Sequence, residues 1–155
     1  MQDPTASFAT PRLASGALFV DHNRIFLVHK TYGIQWDLPG CYVDRGESPA
    51  SACERELREE LKLDRNVKRL LVHDWAPSDA EGDKILYVFD CGELGHDEES
   101  VVFDETEIDA AKWVPVNDIS RMVIPRLARR LEYAYRAYMS GEILYLENGC
   151  PRKTP

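Results

Sequence analysis

The sequence predicts a mixed α/β (α+β) fold, a mixed central sheet with helices packed on it. Three observations predict it. Apolar runs rich in strand formers recur along the chain, set off by turn-forming clusters. Two stretches instead repeat apolar residues every three or four positions, as a helix buried along one side does. Strands precede and separate these two stretches, mostly through short loops, which fits neither a helical bundle nor a sandwich of sheets alone.

Residues 14–20 and Arg24–Lys30 are strand-like runs joined by Asp21-His22-Asn23, so they read as a hairpin. Residues 36–40 (WDLPG) read as a strand end running into a loop, and residues 41–43 as a further short strand. At Ser48 the period changes. Ser48 suits a helix cap, and Pro49 suits the first helical turn, where its missing N–H would be unpaired anyway. Ala50, Cys53, Leu57 and Leu61 then form one apolar stripe, so Pro49–Leu61 is predicted helical. Residues 67–75 and 84–91 read as strands, 92–100 as an acidic loop, and 110–116 as a strand ending at Pro115. Pro125 opens a last helix with Leu127, Leu131, Ala134 and Tyr138 as its core face and Gly141 as its stop. Residues 143–146 read as a small strand or an ordered tail. We divide the chain into a polar leader (1–11), a single domain (12–147) and a tail (148–155).

The 155 residues are enough for one domain with a buried core. A net charge of −8, from 19 Lys+Arg against 27 Asp+Glu, argues against a nucleic-acid polymer as partner. Arg126, Arg129, Arg130 and Arg136 of the last helix read as a basic face, solvated or turned toward a second subunit in a homodimer. No apolar run approaches the roughly 20 residues a membrane span needs. The four cysteines show no paired spacing, and the leader has no signal-peptide pattern, so a reducing cytoplasm is the expected setting.

The chemistry concentrates in residues 41–63 (CYVDRGESPASACERELREELKL). On a helix Glu56, Glu59 and Glu60 share an arc of roughly 100°, flanking the apolar stripe rather than opposing it. Arg55 reaches Glu59 and Arg58 reaches Glu54, each four residues on. A divalent cation would convert the remaining repulsion into ligation, and Mg²⁺ or Mn²⁺ prefers such hard oxygen ligands. Without an ion the same arc is an ordinary solvated helix face.

This segment resembles the Nudix box, in which a Gly, a Glu and an Arg-Glu-aliphatic-x-Glu-Glu-x-Gly-aliphatic run recur at fixed spacing. Glu47, Arg55-Glu56-Leu57, Glu59-Glu60 and Leu63 stand at its positions, and Trp36-x-Leu38-Pro39-Gly40 precedes it as in the family. Two positions depart. Cys41 replaces the first glycine, and a left-handed backbone there would strain it by about 1–3 kcal/mol. Lys62 replaces the second, at a cost of about 1 kcal/mol if the helix must end left-handed.

The resemblance implies an α/β/α sandwich with a catalytic helix. It also implies Mg²⁺- or Mn²⁺-dependent hydrolysis of a nucleoside diphosphate derivative, a nucleoside triphosphate or a nucleotide-sugar or ADP-ribose type compound. By it, Glu56, Glu59 and Glu60 bind the metal, with the backbone carbonyl of Cys41 as a further ligand. Arg55 holds a Glu in place, and Glu47 supports the cluster. The general base comes from the box helix, as Glu59 or Glu56, or from a later loop, where Glu107 stands. Trp36, Tyr32 and Tyr42 either stack on substrate or fill the core and rim, and Arg45 either meets phosphate or faces solvent. A nucleotide-binding module that does not hydrolyse is the alternative, supported only by the two departures.

Overall fold

The computed structural model describes residues 1–154. Its elements, in chain order, are β1 (Arg12–Leu18), β2 (Val20–Asp21), β3 (Arg24–Lys30), β4 (Trp36–Asp37), β5 (Gly40–Tyr42), α1 (Pro49–Leu61), β6 (Arg69–Ala76), β7 (Lys84–Asp90), β8 (Ile108–Pro115), α2 (Pro125–Ser140), β9 (Leu144–Glu147) and β10 (Cys150–Pro151). Short 3-10 turns occupy Gly95–Ser100 and Val116–Arg121. No helix is long and apolar enough to cross a membrane among the described residues.

The strands form two sheets. One has the order β10-β9-β6-β7-β1-β5, with β1–β7 and β6–β9 parallel and the other pairs antiparallel, so it is mixed as expected. In the other, β3 is flanked by β2 and β4 and also pairs with β8, all antiparallel. The hairpin expected between residues 14–20 and β3 is real only at its tip, where Val20 and Asp21 face Ile25 and Arg24. The strand breaks at Phe19, and residues 12–18 turn away to lie between β5 and β7.

The apolar residues explain the layers. Leu18, Val20, Ile25 and Leu27 join a core shared with Leu127, Leu131 and Ala134 of α2. Their neighbours Ala17, Phe19, Phe26 and Val28 join a second core shared with Cys53, Leu57 and Leu61 of α1. Alternate residues along one strand point to opposite faces. The unbroken apolar runs at residues 17–20 and 25–28 therefore mark chain covered on both sides by helices, the α/β/α arrangement.

Both helices end as their sequences predict. The Ser48 hydroxyl accepts from the Ser51 N–H at 3.1 Å with Pro49 at the first position. Gly141 closes α2 in a left-handed conformation (φ 79°). Lys62 closes α1 left-handed as well (φ 56°) and donates from Nζ to the Glu59 carbonyl at 2.9 Å. Cys41 needs no such conformation; the positive φ of 134° falls on Gly40 before it. A Cβ on Gly40 would lie 2.1 Å from the Ser15 carbonyl oxygen, so close pairing of β1 with β5 requires glycine there.

The arginines of α2 do not form one solvated face. Arg130 is buried and donates from Nε to Asp74 Oδ2 at 2.6 Å, Arg126 and Arg129 are half-buried, and Arg136 alone is exposed. Asp74 also accepts from the Gly149 N–H at 3.0 Å, so one fully buried carboxylate joins β6, α2 and the turn before β10.

Candidate active site

Arg55 organises the entry to α1. It forks onto Glu47, from Nε to Oε2 at 3.1 Å and from Nη2 to Oε1 at 2.6 Å. Its Nη1 donates to Glu56 at 2.8 Å and to Glu59 at 3.2 Å, and Nη2 also reaches the Tyr42 carbonyl at 3.2 Å. Glu47 in turn accepts from the Asp44 N–H at 2.8 Å, which closes the loop ahead of the helix. Charge-assisted, forked bonds of this kind fix geometry as well as contribute energy. The Arg55 hydrogen bond holds the Glu47 carboxyl at about 2, well below the usual range. The i,i+4 pair of Arg55 with Glu59 is present, whereas Arg58 faces Asp64 at 3.8 Å and Glu54 instead accepts from the Val67 N–H.

Glu56 and Glu60 project from the opposite edge of the acidic arc and are buried, Glu60 to 1% exposure. Glu60 Oε2 accepts from the Gly40 N–H at 3.1 Å, and Lys30 Nζ lies 3.6 Å from Oε1. Lys30 is itself buried and donates to the Gly40 carbonyl. Glu107 arrives from the loop before β8. That loop is strapped to the end of α1: the Val102 N–H donates to the Leu61 carbonyl at 3.0 Å and the Asp104 N–H to the Glu60 carbonyl at 2.9 Å. The helix's last carbonyls, which have no partner within the helix, are thereby satisfied. The Thr31 N–H then holds the Glu107 carbonyl at 2.9 Å.

Carboxylate oxygens of Glu56, Glu60 and Glu107 consequently lie within 4.8 Å of one another. Burial is the main cause that pushes the Glu60 carboxyl up to about 7, with Glu56 and Glu107 adding to it and Lys30 opposing it. Burial likewise raises Glu56, against the pull of Arg55. An all-oxygen set whose members repel one another in a low-dielectric site suits a hard divalent cation such as Mg²⁺ or Mn²⁺.

The remaining predicted residues divide. Glu59 is exposed and tied to Arg55, outside the three-carboxylate group. Cys41 is half-buried beside Gly40. Tyr32, Tyr42 and Cys41 line a cavity of about 400 Å³ that also touches Lys30 and Gly40, the partners of Glu60. Tyr42 lies beneath the Arg12 guanidinium, 4.8 Å from its ring centre. Trp36 is half-buried against the α2-side core with Lys112 over its ring at 4.6 Å, and Arg45 is exposed on a separate depression.

Sequence reasoning missed Lys30, Ser15 and Arg130, all of which line the cavity. Lys30 ends an apolar strand, where a lysine ordinarily marks the return to solvent. Arg130 has a legible signal after the fact, since it stands three residues after Leu127 and one before Leu131, on the predicted core face.

The fold and the box helix define a protein class. The family model of the NUDIX domain matches residues 10–138, and the chain belongs to that family. Among solved structures, a UDP-X diphosphatase superposes with a TM-score of 0.69 at 24% identity, covering 92% of this chain and 70% of that one. An ADP-ribose pyrophosphatase from Streptococcus suis matches with a TM-score of 0.69 at 22% identity, covering 89% and 99%. The NUDIX domain of Shewanella oneidensis NrtR, complexed with ADP ribose, matches at 0.67 and 21%, covering 90% and 94%. At these identities the likeness is one of fold. No curated protein matches the chain by sequence.

Proposed function

We propose that the protein is a divalent-cation-dependent pyrophosphohydrolase that cleaves the diphosphate linkage of a nucleoside diphosphate derivative, by attack of water on phosphorus. The observation that carries this reading is the convergence of Glu56, Glu60 and Glu107 within 4.8 Å beside a cavity large enough for a nucleoside. Membership of the family supports it, as do the diphosphatase and pyrophosphatase among the structural neighbours. Glu56, Glu60 and Glu107 would hold Mg²⁺ or Mn²⁺, with Glu59 and the Cys41 carbonyl as further donors. When bound, the cation neutralises diphosphate charge and acidifies a coordinated water.

The chain's own residues do the rest. Arg55 fixes the direction of Glu56 and Glu59 through Nη1 and ties both to Glu47. Lys30 and the Gly40 N–H, both on the cavity wall, hold Glu60 in place behind it. Glu107, on its strapped loop, takes the proton of the attacking water at a carboxylate oxygen, and Glu59 is the second candidate for that step. Tyr32 and Tyr42 border the cavity where the nucleoside would enter.

The test is hydrolysis by wild type and Glu60→Gln, in Mg²⁺, of nucleoside triphosphates, dinucleotides, ADP-ribose and nucleotide sugars, followed by chromatography of the nucleotide product and of the phosphate, pyrophosphate or sugar phosphate released with it. We expect the variant to lose at least about a hundredfold in kcat on the preferred compound. Equal release by the two proteins would overturn the assignment.

A further inference from the structure

The cavity beside the carboxylates has a second wall that the proposed chemistry leaves unused. Ser15 of β1 and Arg130 of α2 both line it. They are 5% and 6% exposed, and Ser15 Oγ and Arg130 Nη2 have no hydrogen-bond partner among the described residues. Buried polar groups are almost always paired, because an unmade bond there is costly. Two such groups bordering one cavity point to a ligand that completes them.

The surroundings restrict that ligand. The charge of Arg130 is already matched by Asp74 at 2.6 Å, which also holds the guanidinium in place. Lys30, Lys84 and Arg126 also line the cavity, but with Glu60 beside Lys30, Glu81 beside Lys84 and Asp37 on the same wall these charges balance, so no anion is called for. Leu86, Val88 and Leu127 supply an apolar surface. A neutral, flat group with hydrogen-bond acceptors on its edge satisfies all of this, and within a nucleotide only the base has that description.

Donors select among bases. Guanine presents O6 and N7 as adjacent acceptors, the pair an arginine matches with two bonds, and uracil presents a ring carbonyl on either side. Adenine places its amino group beside both N1 and N7, so an arginine would meet a donor. We propose that this wall reads the base. The cavity takes a carbonyl-bearing nucleobase, guanine or uracil in preference to adenine, with Arg130 donating to the ring carbonyl and Ser15 completing the contact. This rests on the hydrolase reading only in taking the ligand to be a nucleotide.

Binding of GMP, UMP and AMP by calorimetry in EDTA separates base reading from catalysis. The wild type should bind GMP or UMP at least about tenfold more tightly than AMP, the discrimination expected of one well-placed pair. Arg130→Lys, which keeps a cation for Asp74 but removes the unpaired Nη2 donor, should bring the ratio to within about threefold. Ser15→Ala deletes only an unpaired hydroxyl, keeps the fold where Arg130→Lys does not, and should narrow the ratio in the same direction. AMP binding as tightly as GMP and UMP, or a preference that survives both substitutions, would overturn the proposal. Base preference in EDTA with no hydrolysis of any compound in Mg²⁺ would sink the hydrolase reading alone. Hydrolysis of adenine derivatives as fast as guanine and uracil ones would sink the base reading alone.

Discussion

Glu60 gives the sharpest residue-level prediction. A glutamate in the unfolded chain loses its proton near 4.5, whereas burial keeps Glu60 protonated to about 7 in the folded protein. Between those values the folded state binds the proton more tightly. Without a cation, stability should therefore fall as pH rises through that window, by on the order of 3 kcal/mol in all, and stay low above it. Melting curves in EDTA from pH 4.5 to 8 should show this decline, and Glu60→Gln should flatten it. An unchanged slope in the variant would remove Glu60 as the cause. Lys62 is the converse case, a residue in the conformation glycine prefers (φ 56°). Lys62→Gly should stabilise the protein by up to about 1 kcal/mol, less whatever the Nζ bond to the Glu59 carbonyl contributes, as read by urea unfolding.

Among elements, α1 was legible almost to the residue. Its cap, proline, apolar stripe and acidic arc all follow from short-range rules, and Glu56 and Glu60 sit on the buried edge of that arc. Partners across sequence were not legible. The run at 14–20 looked like half of a hairpin because periodicity says that a strand exists, not what it pairs with. Nothing local reveals that β1 lies parallel to β7, some seventy residues away. Glu107 was legible as a candidate base on a loop, not as a third member of the carboxylate group; its place beside Glu56 and Glu60 depends on the backbone strap onto α1. Arg55 joins the loop to the helix, so Arg55→Ala should misdirect Glu56 and Glu59 together and cut kcat by about a hundredfold. A change in KM alone would show that Arg55 binds substrate instead of positioning the carboxylates.

For the molecule as a whole, the buried Asp74 is the widest-reaching contact. It engages Arg130 of α2 and the Gly149 N–H, and it lies on β6 in the middle of the larger sheet. Losing it would strand a buried guanidinium, so Asp74→Ala should cost about 3–5 kcal/mol in denaturant unfolding. A loss below 1 kcal/mol would mean that water or another group replaces it. A mixed sheet with helices packed on it could be read from the order of strand-like and helical runs, and the α/β/α layering was implied by the resemblance. The ion pair was not legible, because nothing local names Asp74 as the partner of Arg130 until the sheet brings them together.

The strap between Glu60 and Asp104 has a dynamic corollary. Two oxygen donors sit on one rigid helix and the third on a segment anchored through only a handful of amides, so a bound ion would act as a rivet between the two halves of the sandwich. Deuterium uptake at Thr31, Asp104 and Glu107 should slow on titration with Mg²⁺, while uptake at the far edge, around Leu146, should not change. Indifference of all four amides to the ion would show that this corner is already rigid.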